Sequence, residues 1–265
     1  MDQSPDAIFE RFSAGFENDL DELSNASAKG RARVHMRHQL KELIKFSGYK
    51  LDLGFQVLLF QSCAKTLVGL KEHSLADECF DHILNTLQPE MKASASPDSK
   101  AKMVAIRAET IYSKCSNKYA ELLASSNYSR IAPIMVTQLL VLLQELRGSL
   151  TEIFEELSTK QQEESAWLIL NGCKVILTIS QPLCWLSCGK YVTETIMFAA
   201  LCMESVVNLC TTKHLKFRMK LYTTCLYTAI SSGSNDDSQR VLDHISKNLC
   251  KSNLYFSLLL ASYVM

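Results

Sequence analysis

Apolar residues recur at the three- and four-residue spacing of an α-helix along almost the whole chain, and runs that strictly alternate apolar and polar residues are absent. A half-buried β-strand needs such alternation, so the periodicity predicts an all-α fold. Only 5 prolines and 9 glycines occur in 265 residues, and several mark breaks between helices. This length suffices for a substantial core, in one large domain or two small ones.

The periodic segments predict a series of helices joined mostly by short turns. The first begins at Ser4, which suits an N-cap, with Pro5 at the first helical position. The predicted helices cover residues 4–23, 34–47, 51–70, 74–87, 101–125, 133–146, 161–180, 183–188, 191–209, 214–231 and 236–250.

This order of elements indicates antiparallel helical hairpins that form a tetratricopeptide-like α-solenoid. Tetratricopeptide repeats place small residues where the two helices of a hairpin cross. The best match covers residues 60–89, where Pro89 is expected to close the repeat and the core positions are Phe60, Ala64, Leu67, Ala76, Phe80 and Ile83. A second copy combines Leu168, Gly172 and Val175 with Val192, Ile196 and Ala199, and a weaker third copy spans residues 217–245. Other helical pairs satisfy part of this pattern.

Composition divides the chain into four segments. Residues 1–88 form an N-terminal helical region with one tetratricopeptide-like hairpin. The stretch PEMKASASPDSK, residues 89–100, is small, polar and proline-bearing, which predicts a linker. A helical hairpin array follows over residues 101–253. The apolar run of residues 254–265 is interpreted as a tail left by truncation, because helical proteins rarely end on exposed apolar residues.

The formal net charge is +0, which argues against a nucleic-acid partner, since such proteins usually carry a basic excess. The charge is unevenly distributed, however: residues 2–22 are acidic and residues 29–50 are basic. Two interpretations are open for the basic segment. Either the acidic and basic segments are two solvated helix faces that can pair with each other, or the basic segment is a docking strip for an acidic partner such as a tubulin surface.

The 10 cysteines predict core packing rather than disulfides or a metal site. The first residues, MDQSPDAIFERF, lack the basic and apolar regions of a signal peptide, so we expect reduced thiols. Cys184 and Cys188 have helical i,i+4 spacing, but neither a histidine nor a second cysteine pair lies nearby at zinc-site spacing. His35 and His38 lie among basic residues that would repel a metal ion, and we expect them at the surface.

The sequence predicts neither a membrane span nor an enzyme. The apolar run of residues 254–265 is shorter than the roughly 20 residues a transmembrane helix needs. Nucleotide-binding, zinc-protease, serine-hydrolase and EF-hand motifs are absent, and no cofactor is expected. Adjacent acidic pairs such as Asp236 and Asp237 suit helix N-termini better than acid–base catalysis.

One cationic segment is a candidate binding site. Aromatic residues alternate there with Lys213, Lys216, Arg218 and Lys220, a pattern typical of nucleic-acid or calmodulin-target strips and also of ordinary amphipathic helices. We take these four cations as candidate protein contacts. Trp167 and Trp185 lie in apolar runs, which predicts core packing for both.

Two segments resemble the cilia- and flagella-associated protein 54 family. Residues 167–229 contain an apolar helix with Asn171-Gly172, then the block Ala200–Ser205, and then Leu215, Arg218, Leu221-Tyr222-Thr223 and Cys225. Residues 63–84 resemble an early helical hairpin of the family, notably at Leu70-Lys71-Glu72 and Leu75-Ala76.

The resemblance implies a noncatalytic scaffold in the cytoplasm and cytoskeleton, on the C1 projection of the central apparatus of the ciliary axoneme. It implies roles in cilium assembly, ciliary movement and sperm flagella, with other central-apparatus proteins as partners and with calmodulin and microtubules as further candidates. This chain would correspond to the N-terminal part of a much larger protein. The alternative hypothesis is a general cytoplasmic tetratricopeptide-like adaptor without a ciliary role.

Overall fold

The computed structural model of the chain describes residues 29–50, 52–94, 96–125, 133–185 and 188–231, together with positions 233, 239–240 and 242–243. All regular elements in these residues are helices, so the predicted all-α class is confirmed. The chain divides into two compact units, unit 1 over residues 1–125 and unit 2 over residues 126–265. The helix predicted for residues 4–23, the tail at 254–265 and most of the helix predicted for residues 236–250 lie outside the described residues.

Unit 1 contains four described helices: α1 (Lys29–Lys50), α2 (Leu53–Gly69), α3 (His73–Ala93) and α4 (Pro97–Ser125). Helix α3 packs against α2 on one side and α4 on the other, and α1 also contacts α3. The six core positions predicted for the α2–α3 hairpin are all buried. Helix α1 adds Met36, Leu40 and Leu43 to the same core, at the spacing of one helix face.

The predicted linker at residues 89–100 is wrong. Helix α3 continues through Pro89 to Ala93, and α4 begins at Pro97. Because proline has no backbone N–H, Pro89 leaves the carbonyl of Asn85, four residues earlier, without its helical donor. Both residues are exposed, so water can satisfy this carbonyl. Pro89 therefore does not close the hairpin, and the boundary between the compact units lies at Ser125–Ser126 instead.

The α2–α3 turn contains the one described non-glycine residue with a left-handed backbone, Lys71, at φ 60°. The amide of Lys71 donates to the Val68 carbonyl and the amide of Glu72 donates to the Leu67 carbonyl. These two bonds form a Schellman motif, whose left-handed position is most often occupied by glycine.

Replacing Lys71 with glycine is expected to raise the free energy of unfolding of unit 1 by about 0.5–1 kcal/mol, because glycine adopts the left-handed region without steric cost. Lys71→Val is expected to lower it by about 1–2 kcal/mol, because a β-branched side chain clashes there. Urea unfolding followed by far-UV circular dichroism measures both changes. The opposite order of the two variants would contradict the structure.

Unit 2 contains five described α-helices: α5 (Pro133–Glu156), α6 (Thr159–Glu164), α7 (Ala166–Trp185), α8 (Thr193–Ser205) and α9 (Leu215–Ser231). Short 3-10 helices cover Gly189–Tyr191, Val207–Leu209 and Thr212–His214. Helix α7 packs against α5 and α8, and α8 packs against α9. Pro182 lies inside α7 instead of separating two helices, and a capping box of Ser158 and Gln161 starts α6 as a separate helix.

The second predicted hairpin maps onto α7 and α8. Leu168, Gly172, Val192, Ile196 and Ala199 are buried and Val175 is half-buried, in agreement with the predicted core. Trp167 was also predicted to be buried but is 50% exposed, because it lies on the outward side of α7 next to the buried Leu168. The third predicted copy begins in α9, and most of its second helix lies outside the described residues. The solenoid arrangement stays a prediction.

One described helix is long and apolar enough to cross a membrane by length and composition, over residues Ala166–Cys184. The sequence-based expectation that no stretch is long and apolar enough to span a membrane is therefore wrong by length and composition. In unit 2 this helix is central, with 56% of the segment buried and Leu168, Ile169, Ile176 and Ile179 fully enclosed. The core helix of a globular domain satisfies the same criteria.

Candidate protein-interaction surface

The four predicted contact residues occupy two different environments. Lys213 lies in the 3-10 helix before α9, and Lys216 and Lys220 lie one turn apart on α9; all three are exposed. Arg218 is only 4% exposed, so it cannot serve as a surface contact in this fold. We therefore restrict the candidate contacts to Lys213, Lys216 and Lys220, which we call the lysine patch. A binding role for these lysines stays a prediction.

Arg218 belongs to a buried polar cluster between α8 and α9. Its Nη2 lies 3.3 Å from Oε1 of Glu204, whose side chain is 11% exposed, and its Nη1 donates to the Cys210 carbonyl at 3.1 Å. The Tyr222 hydroxyl donates to the same Glu204 oxygen. Because a buried carboxylate is costly without a compensating cation and hydrogen bonds, these contacts lock α9 against α8.

A second carboxylate holds the segment that leads into α9. The Glu163 side chain accepts hydrogen bonds from the backbone amides of Val207 and Asn208, at 2.6 and 3.0 Å. The Asn208 amide group in turn donates to the Glu163 carbonyl at 3.2 Å. Glu163 thereby satisfies amides at the start of a 3-10 helix, where no helical carbonyl is available. The segment that carries Lys213 is thus held by Glu163 on its N-terminal side and by Arg218 on its C-terminal side.

The lysine patch extends toward α7. The pKa of His214 is lowered first by burial and then by the positive charges of Lys213 and Lys174. Lys174 is exposed on α7 and therefore adds a further cation beside the patch. A lowered pKa keeps His214 neutral at pH 7, so the lysines supply the positive charge here.

Basic residues of α1 are used within unit 1. Arg33 forms a bidentate contact with the buried Glu72, with nitrogen–oxygen distances of 2.5 and 2.9 Å. Arg37 binds Glu78 at 2.8 Å and the Ser74 hydroxyl at 3.1 Å. These contacts dock α1 onto the start of α3, whereas the acidic segment at residues 2–22 lies outside the described residues, so neither interpretation of the basic segment is decided. His35 and His38 are exposed on α1, as predicted.

The cysteines are mostly core residues. Seven of the nine described cysteines are buried, and Cys188 and Cys210 are half-buried. Burial raises the pKa of Cys63 and of Cys184 to about 11 and that of Cys202 to about 12, which suppresses the reactive thiolate. Cys188 lies beyond the end of α7, so it does not share a helix face with Cys184.

Thiol reactivity should follow this burial. In the folded chain at pH 8, we expect iodoacetamide to modify the half-buried Cys188 at least about tenfold faster than Cys63 or Cys202, because burial restricts access to these two thiols and raises their pKa, which lowers their thiolate fraction. Mass spectrometry of tryptic peptides measures each site. Urea-unfolded chain serves as the control, in which all sites should react at similar rates. Equal rates in the folded chain would contradict the burial of these thiols.

Comparison with known proteins adds a decisive observation. The family model described as cilia- and flagella-associated protein 54 matches residues 21–246, which is most of the chain and includes parts of both units. This chain belongs to the cilia- and flagella-associated protein 54 family. The family's description refers to cilia and flagella, and it names no catalytic activity.

Two members of the cilia- and flagella-associated protein 54 family are similar to part of this chain. The human protein of that name is 36% identical over 69 residues, and the mouse protein is 37% identical over 62 residues. These alignments cover 25% and 23% of this chain but only 2% of each relative. The chain thus aligns with a small part of very long proteins. No solved structure matches the chain.

Residues that carry the resemblance to the cilia- and flagella-associated protein 54 family meet in the fold. The block Ala200–Ser205 supplies Glu204, and the later block supplies its partners Arg218 and Tyr222. The earlier block Leu70-Lys71-Glu72 forms the Schellman turn of unit 1. These structural roles were not predicted from the sequence. The spacing of Lys216 and Arg218 was the available signal, because residues two apart lie on nearly opposite sides of a helix.

Proposed function

We propose that this chain is a noncatalytic structural scaffold of the motile-cilium axoneme. The observation that carries the proposal is the family match over residues 21–246. The names of the human and mouse relatives supply the association with cilia and flagella. Within the family, the more specific proposal is a component of the C1 projection of the central apparatus, with other central-apparatus proteins as partners.

The chemistry of the described residues supports a scaffold rather than an enzyme. Two carboxylates with little solvent exposure, Glu72 at 5% and Glu204 at 11%, face arginines and hold helices together. Buried cysteines have raised pKa values, which disfavours a nucleophilic role. A helical array offers long exposed faces and is well suited to holding other proteins at fixed positions.

The test is the localisation of a tagged copy, expressed at endogenous level, in multiciliated cells. We expect signal along the axoneme, which is lost in cells whose cilia lack the central pair. Loss of the gene product is expected to impair cilium assembly, ciliary beating and sperm flagella.

The tag alone and a full-length human family member, expressed in the same cells, serve as controls. Axonemal signal from the full-length relative with diffuse signal from this chain would assign the docking region to residues that this chain lacks. Diffuse signal from both in cells with normal central pairs would refute the ciliary proposal and favour a general adaptor.

A further inference from the structure

Helix α9 is exposed along one narrow stripe. Lys216, Lys220, Thr223, Tyr227 and Ile230 are exposed, whereas every other residue of α9 except the last is buried or half-buried. The intervals between these five residues are four, three, four and three, which places them on one side of the helix. We call them the α9 stripe. It spans about 21 Å, or four helical turns.

The α9 stripe has two chemically different halves. Its first half contains Lys216 and Lys220, and neither forms an ion pair within the part of the chain that the structure describes. Its second half contains two large apolar residues, Tyr227 at 56% and Ile230 at 62% exposure. Exposed apolar side chains one turn apart, next to cations on the same helix side, are typical of a helix-binding seam.

The inner side of α9 is fixed near both ends of the stripe. Near the lysines, Arg218 and Tyr222 bind Glu204. Near the apolar residues, the 3-10 helix at Gly189 approaches so closely that a Cβ atom there would lie 3.2 Å from the Thr228 Cα. Because contacts on the buried side of α9 fix the helix, the α9 stripe is preorganised, and less conformational entropy is lost when a partner binds.

From this arrangement we infer that the α9 stripe binds an amphipathic helix of another protein, acidic along one half of its seam and apolar along the other. Alternating intervals of three and four match the seam between two packed helices. Carboxylates on the partner would compensate Lys216 and Lys220, while apolar residues would cover Tyr227 and Ile230. The inference deepens the proposed scaffold function, because it specifies a partner for part of the lysine patch.

A second copy of this chain does not fit the α9 stripe. Parallel pairing of two stripes places lysine opposite lysine, which is repulsive. Antiparallel pairing places Lys216 opposite Ile230 and Lys220 opposite Tyr227, so that four ammonium groups enter a seam with no stripe carboxylate. Because buried cations need compensating charges, the stripe favours a partner of different sequence.

The test measures binding of the full chain to two fluorescein-labelled, helix-stabilised peptides by anisotropy. One peptide carries glutamates in half of its seam and leucines in the other half, and the second replaces the glutamates with lysines. At low salt, the chain should bind the glutamate peptide at least about tenfold more tightly than the lysine peptide. The difference in affinity between the two peptides should be smaller at high salt. The double variant Lys216→Glu/Lys220→Glu should reverse this preference, and Tyr227→Ser/Ile230→Ser should weaken both peptides about tenfold.

A matched charge reversal in unit 1, Lys65→Glu/Lys102→Glu, should leave peptide binding unchanged, since both lysines are exposed and distant in sequence from the stripe. Equal binding of the two peptides, or failure to bind either, would overturn the inference. So would a dimer in sedimentation that Lys216→Glu/Lys220→Glu dissociates. A chain that reaches the axoneme without the peptide preference refutes only this inference. A chain that shows the preference, in cells where both it and the full-length relative are diffuse despite normal central pairs, refutes only the ciliary proposal.

Discussion

Replacing Arg218 with methionine is expected to lower the free energy of unfolding of unit 2 by about 3–5 kcal/mol. The change removes the cation that compensates the nearly buried Glu204 carboxylate. It also removes the hydrogen-bond donor to the Cys210 carbonyl. Both tryptophans of the chain, Trp167 and Trp185, lie in unit 2, so tryptophan fluorescence during urea unfolding reports on this unit.

The control for this prediction is Lys216→Met on the exposed side of the same helix, which should change stability by less than about 0.5 kcal/mol. The triple variant Glu204→Leu/Arg218→Met/Tyr222→Phe should recover at least half of the loss, because it removes the charges and the hydroxyl together. A loss below about 1 kcal/mol in Arg218→Met, typical of an exposed ion pair, would contradict the buried cluster.

The second large effect is expected in unit 1, where Asn117→Ala should lower the free energy of unfolding by about 2–3 kcal/mol. Asn117 is 1% exposed and links α4 to α3. Its amide nitrogen donates to the His73 carbonyl at 3.0 Å and to Asp77 Oδ1 at 2.8 Å, and its Oδ1 lies 2.7 Å from Nδ1 of His73. Alanine would remove these bonds from a buried site. Hydrogen exchange of peptides from α3 and α4, read by mass spectrometry, would measure the loss.

Asn117→Asp provides a pH test of the same site. Burial raises the pKa of Asp77, so its contribution to stability is greatest when the carboxyl is protonated and is lost as pH rises through the raised value. A second carboxylate at position 117 adds repulsion when both groups are ionised. The variant should therefore be more destabilised, relative to the unchanged chain, at pH 7 than at pH 4. Ser116→Ala, at an exposed neighbouring position, should show no such dependence.

Sequence periodicity predicted helix positions and the core of the α2–α3 hairpin well, because burial follows the 3.6-residue repeat. It failed at Pro89, where a proline at an exposed position is tolerated within α3. It also failed at Trp167, because an apolar run does not by itself indicate which side of a helix faces the core. For the candidate site, the exposure of Lys213, Lys216 and Lys220 agrees with a surface position and the burial of Arg218 was not predicted, while a binding role for the lysines stays a prediction.

The sequence by itself determined the all-α class, the hairpin core around Phe60 and Phe80, and the family, since all three depend on local periodicity or direct similarity. Only the tertiary structure decided how the charged residues are used. Arg33 and Glu72 lie 39 positions apart, and Asn117 and Asp77 lie 40 apart, so no local pattern specifies these pairs. Whether a cation binds a partner or stabilises the fold depends on which side of its helix the neighbouring helices cover. For Lys216 and Arg218, that neighbour is α8, which carries Glu204.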